Sequence, residues 1–225
     1  MTEKICILIP AYNPPENMTD FVTNLSKTKI DVLIVNDGSS KDYNYIFSKL
    51  KSNYIKIINL KKNIGKGFAI KAGIKEIFQE KYTHIITADA DGQHTVSDII
   101  NLSKNIDNKS IVLGVRSFDK KVPFKSRIGN VVIAKIFKFL THVELSDTQT
   151  GLRAIPSLYF DELLKIPYNG YDYEIAMLVF FIKNKINILQ LKIKTVYIEN
   201  NRSSHFRPIF DSLKIIKTFL KILKR

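Results

Sequence analysis

Two aspartates one residue apart, Asp89 and Asp91, directly follow the apolar run of residues 83–87. The run predicts a buried β-strand, so both carboxylates are expected where a strand ends and a loop begins. In open α/β sheets, ligands bind in the crevice outside the carboxyl ends of the strands. Two hard oxygen donors at such a place suit Mg²⁺ or Mn²⁺ bound together with a diphosphate. An isolated pair of this kind is more often a solvated acidic turn, so its surroundings must decide.

Three further polar loops follow predicted strands in the first half of the chain, at residues 10–13, 36–40 and 63–67. In a parallel sheet, all of them leave the same edge as the two aspartates. Their carboxylates can accept hydrogen bonds from a base and a ribose, and their glycines let backbone amides approach a phosphate. Together the four loops predict a nucleotide-diphosphate site, for which the candidate residues are Pro10, Tyr12, Asn13, Asp37, Gly65, Lys66 and Asp89.

The elements that must position these loops alternate between short apolar strands and helical periods over residues 1–116. This alternation predicts an α/β fold with a mainly parallel central sheet and helices on both faces. Strands are predicted at 4–9, 30–35, 55–60, 83–87 and 111–115, and helices at 14–27, 42–50, 67–79 and 96–106. Beyond them, helices are predicted at 125–140, 171–183 and 209–224, and strands at 151–155 and 186–198. Without a repeat or a Pro/Gly/Ser-rich linker, we expect one domain over 1–207 and an appended helix over 208–225.

Composition sets broad limits on the class of protein. The chain has 225 residues, of which 45% are hydrophobic, and a formal net charge of +14 at pH 7. This charge favours an anionic partner: a nucleic acid, an acidic membrane surface or a phosphorylated small molecule. The single cysteine, Cys6, excludes an internal disulfide and suits a reducing cytoplasm. There is no run of about 18 apolar residues, so no membrane-spanning helix is expected. The P-loop and dinucleotide-binding motifs and the Cys/His spacings of zinc sites are also missing.

The series of polar loops resembles family 2 glycosyltransferases of the GT-A fold. The resemblance runs from about residue 4 to about residue 210, and its first motifs are residues 9–13, 35–40, 63–67 and 89–94. Later segments resemble the polyprenyl-phosphate branch, which includes dolichyl-phosphate mannose and glucose synthases; they are residues 114–116, 126–130, 147–153 and 171–174.

The resemblance implies an inverting transfer from a nucleotide-diphosphate sugar, either a GDP- or a UDP-sugar, with Mg²⁺ or Mn²⁺ as cofactor. Asp37 would contact the base or the ribose, and Asp89 the ribose and the metal-bound diphosphate. Asp91 would be the principal metal ligand, with Asp89 and Gln93 completing the protein's share. Arg202 lies in a segment that closes over the donor in relatives.

The same resemblance assigns residues to the acceptor side. Arg116 and Arg127 match positions that face the acceptor phosphate, and Asp147 and Gln149 lie in a loop that flanks the sugar. A lipid phosphate is already anionic and needs little or no general base, so arginines that position it matter more. A sugar hydroxyl would need a carboxylate base, for which Asp147 is the candidate. Glu174, on an apolar predicted helix, needs a partner and is interpreted either as a structural salt bridge or as a support for the Asp147 loop.

Four functions therefore stay open from the sequence, one of which is a peripheral scaffold without catalysis. The favoured one is transfer to a polyprenyl phosphate at the cytoplasmic face of a membrane, with Asp91, Arg116, Arg127 and Asp147 as catalytic residues. A second is transfer to a sugar hydroxyl in surface polysaccharide or glycolipid synthesis. A basic nucleic-acid-binding module would also explain the charge, but no recognised motif supports it, and no nucleic-acid partner is expected.

The last predicted helix, residues 209–224, is amphipathic at ~100° per residue. Its apolar face contains Ile209, Leu213, Ile216, Leu220 and Leu223, and its basic face Lys214, Lys217, Lys221 and Lys224. Such a helix can lie in the interface of an anionic membrane, which predicts a peripheral protein at the inner face. The alternative is a helix whose apolar face packs on the domain.

Overall fold

The computed structural model of the protein describes residues 3–116, 124–194 and 208–223, with side chains over 3–116, 133–194, 214 and 216–222. Seven strands form one sheet: β1 Ile5–Ala11, β2 Asp31–Asn36, β3 Ile55–Asn59, β4 His84–Thr87, β5 Ile111–Arg116, β6 Arg153–Pro156 and β7 Ile188–Ile193. Their order across the sheet is β3-β2-β1-β4-β6-β5-β7.

The sheet is parallel except at β6, which is antiparallel to both β4 and β5. The predicted mainly parallel sheet is thus confirmed. Because β1 to β4 run in the same direction, their carboxyl ends lie along one edge. This edge receives the four polar loops from which the candidate site was predicted.

Eight α-helices occur in the described ranges: α1 Asn17–Ser26, α2 Asn44–Lys49, α3 Lys66–Ile77, α4 Val96–Ser103, α5 Phe124–Thr141, α6 Phe160–Lys165, α7 Asp172–Lys183 and α8 Pro208–Leu223. Single 3-10 turns at Lys41–Tyr43 and Ser157–Tyr159 precede α2 and α6. The six-residue α6 was not predicted, because it is too short to show a helical period. The predicted strand 186–198 corresponds to β7, and residues 195–198 lie outside the described part of the chain.

Both faces of the sheet are covered by packed helices, as a parallel sheet requires. Cys6 and Leu8 of β1 point into a core shared with α3, α5 and α7. Ile7 and Ile9 point into a second core shared with α1 and α4. β1 is apolar on both faces, so it packs against a layer of helices on each side. This packing holds the loop that follows β1 between the two layers.

The final helix α8 packs against α7 and α5. Phe219 is 2% exposed, and its ring stacks on Phe137 of α5 with 5.1 Å between the ring centroids. Leu220, by contrast, is 42% exposed. Part of the apolar side of the tail therefore packs on the domain, which is the alternative that the sequence left open. None of the helices that the structure describes has the length and apolar character needed to cross a membrane.

Candidate active site

Asp37 follows β2 and is buried beneath the loop that precedes α3. Its Oδ1 accepts a hydrogen bond from the Ile64 amide at 3.0 Å, and its Oδ2 accepts one from the Gly65 amide at 2.8 Å. Gly38 has a φ of +69°, and a Cβ there would lie 2.2 Å from the Lys62 backbone carbon, so glycine is needed where the two loops meet. Burial raises the pKa of Asp37, although the two amides oppose this rise. The carboxylate thus fixes the glycine loop, and its contact with a base or ribose stays a prediction.

The loop after β1 is bonded to the loop after β2. The Asn13 amide donates to Ser39 Oγ, and the Ser40 amide donates to Asn13 Oδ1, both at 2.9 Å. Asn13 has a φ of 44°, a left-handed conformation in which asparagine is enriched. Pro10 lies within β1, and the Tyr12 side chain is half-exposed. The residues of this loop that were predicted for the nucleotide-diphosphate site therefore lie at the expected edge of the sheet.

Lys66, the first residue of α3, holds its ammonium between two carboxylates. Its Nζ lies 2.6 Å from Asp89 Oδ1 and 2.9 Å from Glu174 Oε2. Burial lowers the pKa of Lys66, but the two carboxylates more than reverse this effect, so the pKa lies above its usual value. Glu174 comes from the first turn of α7 and is buried. Of the two interpretations of Glu174, the salt bridge is the one that its side chain forms, and its partner is Lys66 in the candidate site.

The Asp89 carboxylate is enclosed on its other side by His94 and Gly151. His94 Nε2 lies 3.4 Å from Asp89 Oδ2, while its Nδ1 is buried with no hydrogen-bond partner within the described ranges. A Cβ at Gly151 would lie 2.3 Å from Asp89 Oδ2, so glycine leaves the space that the carboxylate occupies. Burial raises the pKa of Asp89, but Lys66 and His94 outweigh it and hold the pKa well below its usual range.

Asp91 is bonded less extensively than Asp89. Its Oδ1 accepts a hydrogen bond from the Gln93 amide at 3.0 Å, and its backbone carbonyl accepts one from Asn17 Nδ2 at 3.3 Å. Burial raises the pKa of Asp91, and the neighbouring Asp89 carboxylate raises it further. A partly buried carboxylate beside a second negative charge is an environment that a cation stabilises.

The side-chain oxygens of Asp89, Asp91 and Gln93 fit a divalent ion whose other ligands are water or substrate phosphates. In the part of the chain that the structure describes, no group of three or more His, Cys, Asp or Glu side chains is arranged to hold a metal. Asp89 and Asp91, together with the Gln93 amide oxygen, would supply the hard ligands that Mg²⁺ and Mn²⁺ prefer. Mg²⁺ is commonly held by one or two carboxylates together with water and substrate phosphates. The residues therefore fit an ion whose coordination a diphosphate completes.

Arg116, one of the residues predicted to face an acceptor, lies at the end of β5 and forms a bidentate ion pair with Asp147. Arg116 Nε lies 2.6 Å from Asp147 Oδ2, and Nη2 lies 3.1 Å from Oδ1. Asp147 is fully buried, and its Oδ1 also accepts a hydrogen bond from the Gln149 amide at 3.1 Å. The structure thus brings these three predicted residues together. The Arg127 side chain, on α5, and the whole of Arg202 lie outside the described part.

Arg153 is a further buried residue at the site, and it had no predicted role. It begins β6, is 1% exposed, and donates hydrogen bonds to backbone carbonyls of the preceding loop and of α7. The sequence shows that Arg153 belongs to the motif 147–153. It does not show its partners, because every residue type has a backbone carbonyl. Only its place in an otherwise apolar strand signalled a buried charge.

Comparison with known proteins places these features in a family. A model of glycosyl transferase family 2 matches residues 6–165. A Methanococcus voltae protein named UDP-N-acetylglucosamine--dolichyl-phosphate N-acetylglucosaminyltransferase is 31% identical over 217 residues, covering 87% of this chain and 86% of the relative. The human dolichyl-phosphate beta-glucosyltransferase is 26% identical over 255 aligned residues, covering 100% of this chain and 76% of the relative.

Solved structures of glucosyl-3-phosphoglycerate synthase from Mycobacterium tuberculosis share the fold. The complex with Mn²⁺, UDP and glucosyl-3-phosphoglycerate has a TM-score of 0.73 at 15% identity and covers 99% of this chain and 80% of that chain. The complex with Mg²⁺ and UDP has a TM-score of 0.72 at 15% identity. At this identity the likeness concerns the fold alone, and it confirms the predicted GT-A fold.

Proposed function

Because this chain belongs to glycosyltransferase family 2, we propose that it transfers a sugar from a nucleotide-diphosphate sugar to a polyprenyl phosphate, with inversion at the anomeric carbon. The family makes the chain a glycosyltransferase, similar to enzymes named for dolichyl phosphate. One observation carries the proposal: two charged groups lie at the same end of the sheet. We name them the donor cluster (Lys66, Asp89, Glu174) and the acceptor pair (Arg116, Asp147).

The donor cluster suits the departure of a nucleoside diphosphate. Breaking the bond to the anomeric carbon builds negative charge on the leaving oxygens, which must be stabilised where it develops. Lys66 lies at the N-terminus of α3, where backbone amides favour an anion, but its ammonium is paired with Asp89 and Glu174, so further positive charge has to come from a bound ion. A divalent ion held by Asp89, Asp91 and Gln93 would, when bound, add positive charge next to the diphosphate. The name of the M. voltae relative favours a UDP-sugar over a GDP-sugar.

The acceptor pair suits an anionic acceptor. A polyprenyl phosphate already carries its nucleophilic oxygen as an anion, so the protein has to orient it rather than deprotonate it. Arg116 presents a planar guanidinium, and Asp147 fixes its orientation through two hydrogen bonds. Arg127 is proposed as a second cation for the same phosphate. The names of the M. voltae and human relatives, both dolichyl-phosphate transferases, support this acceptor class.

Transfer to a sugar hydroxyl is less well supported. That reaction needs a general base, and Asp147 is the predicted one. Both Asp147 oxygens accept hydrogen bonds from Arg116, so a role as base requires the acceptor pair to open first. The nucleic-acid-binding alternative is not proposed, because family membership accounts for the four loop motifs and no observation points to a nucleic acid.

We place the reaction at the cytoplasmic face of a membrane, where a lipid-linked acceptor is available. Two surface helices support a peripheral position. Phe139 of α5 is 79% exposed, next to the exposed Lys135, and α8 exposes Leu220 between Lys217 and Lys221. Apolar side chains flanked by lysines are typical of protein surfaces that bind anionic lipid.

A panel of nucleotide-sugar donors tests the proposed function. Each UDP- and GDP-sugar is incubated with a short polyprenyl phosphate and Mn²⁺ or Mg²⁺, and release of the nucleoside diphosphate is measured. We expect release with at least one donor, dependent on both the lipid phosphate and the metal, and abolished by chelation. Release that requires a sugar hydroxyl instead of the lipid phosphate would refute the proposed acceptor.

A further inference from the structure

The guanidinium of Arg153 joins two separate parts of the backbone near the site. Its Nε donates to the Thr150 carbonyl at 2.9 Å, and its Nη2 donates to the Thr148 carbonyl at 3.4 Å. Its Nη1 donates to the Glu174 carbonyl at 2.7 Å and lies 3.7 Å from Met177 Sδ. One rigid planar group thus holds both the loop that precedes β6 and the first turn of α7.

These two parts of the backbone carry the two halves of the proposed site. The loop, residues 147–151, begins with Asp147 of the acceptor pair and ends with Gly151, which faces the Asp89 carboxylate. The first turn of α7 carries Glu174, whose carboxylate binds Lys66. The position of the acceptor pair relative to the donor cluster therefore depends on the geometry around Arg153.

The hydrogen bonds of Arg153 differ from those of an ordinary buried ion pair. Arg153 is buried, and all its hydrogen bonds to described residues are to backbone carbonyls and a thioether, not to a carboxylate. Burial lowers the pKa of Arg153, opposed mainly by the nearby carboxylates of Glu174, Asp147 and Asp89. A link between two separate backbone segments needs a group that donates in several directions, which an apolar side chain lacks.

We propose that Arg153 is a positioning residue: it fixes loop 147–151 against α7 and so holds the acceptor pair in register with the donor cluster. The proposal rests on the proposed function of those two groups. Arg153 itself contacts neither substrate. Its effect is expected on the efficiency with which the acceptor is used, with a much smaller effect on nucleotide binding.

The variant Arg153→Lys tests the proposal, because an ammonium keeps the charge but cannot reproduce the planar fork that reaches carbonyls on both sides. A matched control is His84→Phe. His84 is equally buried and contacts the Asp107 carbonyl at 2.9 Å through Nε2. It lies at the other end of the same strand pair, where His84 pairs with Pro156 and Thr87 with Arg153. Both variants lose a hydrogen bond from a buried side chain to a backbone carbonyl, but only one of them lies at the site.

Four quantities are measured for both variants: Tm, kcat/KM for a short polyprenyl phosphate at saturating donor, UDP binding in Mn²⁺, and hydrogen exchange of backbone amides. We expect Arg153→Lys to lower kcat/KM roughly ten- to a hundredfold, with UDP binding close to wild type. Amides of residues 147–151 and 172–175 should exchange faster in this variant alone. His84→Phe should lower Tm without either effect.

Equal losses of kcat/KM in the two variants at equal Tm, or unchanged exchange in loop 147–151, would overturn the proposal. Arg153→Gln serves as a second variant if Arg153→Lys does not fold, and failure of both to fold would make Arg153 purely structural. If the wild-type protein transfers no sugar to any polyprenyl phosphate, the proposed function fails. The exchange comparison still decides the role of Arg153 in that case.

Discussion

At the scale of single residues, the two aspartates that follow β4 have different environments. One oxygen of the Asp89 carboxylate contacts Lys66, and the other contacts His94. The Asp91 carboxylate accepts one hydrogen bond, from the Gln93 amide, among the residues whose positions the structure describes. Burial and the adjacent Asp89 raise the pKa of Asp91. This asymmetry favours Asp91 as the principal metal ligand, with Asp89 as a second ligand whose position the protein fixes.

Replacing Asp91 tests that division. We expect Asp91→Asn to lower sugar transfer at least about a hundredfold, because a neutral amide is a weaker ligand and removes the charge that the ion needs. Binding of UDP should lose its dependence on Mn²⁺ in calorimetry, while Tm stays close to wild type. The control is Asp161→Asn, the same change at an exposed position on α6. Turnover that survives Asp91→Asn with any accepted donor would rule out Asp91 as the metal ligand.

Single residues of the site could be predicted where they lie in a loop that follows a predicted strand. Asp37, Lys66, Asp89 and Asp91 all follow apolar runs, and the parallel order of β1 to β4 brings them to one edge. Glu174 could not be assigned, because it is separated by 108 positions from its partner Lys66. Arg153 and Glu174 meet through a backbone carbonyl, a contact that is independent of residue type. Contacts between residues that lie far apart in the chain cannot be read from a single sequence.

At the scale of elements, α8 shows why hydrophobic periodicity leaves two outcomes open. The same apolar stripe can face a lipid surface or a protein core, since both are apolar. Contacts decide between them: Thr218 and Phe219 are buried against the domain, and Lys214 Nζ lies 3.3 Å from Asp172 Oδ2. The direction of β6 likewise depends on its neighbours, because a strand of four residues has the same pattern whether it is parallel or antiparallel.

Adjacent residues on α8 provide a direct test of its packing. We expect Phe219→Ala to lower the free energy of unfolding by about 3–5 kcal/mol, because it removes a buried ring stacked on Phe137. Leu220→Ala, one position further on the exposed side, should change it by no more than about 0.5 kcal/mol. Urea denaturation of both variants gives the comparison. Equal, small effects would mean that α8 does not pack on the domain in solution.

At the scale of the whole molecule, the fold and the net charge have different effects. The sheet and its helices position the proposed site for an anionic donor, whereas the net charge of +14 acts over the whole surface. Fold class could be predicted from the sequence because the alternation of strands and helices is regular over residues 1–116. The surface proposed to meet a membrane could not be predicted, because it depends on which side chains remain exposed after α5, α7 and α8 have packed.

The exposed lysines of α8 carry the final prediction. Among the α8 lysines whose side chains the structure describes, all three are exposed, but Lys214 is paired with Asp172. Lys217 and Lys221 are therefore the two chosen to test contact with anionic lipid. Each basic residue near such a surface contributes about 1 kcal/mol. Reversing both to glutamate should therefore weaken co-sedimentation with anionic vesicles by at least about thirtyfold at low salt. UDP binding should be unaffected.

A control with the same change in net charge separates this effect from general electrostatics. Lys49→Glu with Lys51→Glu alters two exposed lysines at the end of α2, on the other layer of helices. We expect this double variant to keep most of its vesicle binding and its turnover with a lipid acceptor. If the two double variants lose vesicle binding equally, the attraction comes from net charge and α8 has no special part in it. If neither loses binding, α8 serves only to close the core around Phe219, and the proposed membrane orientation must be abandoned.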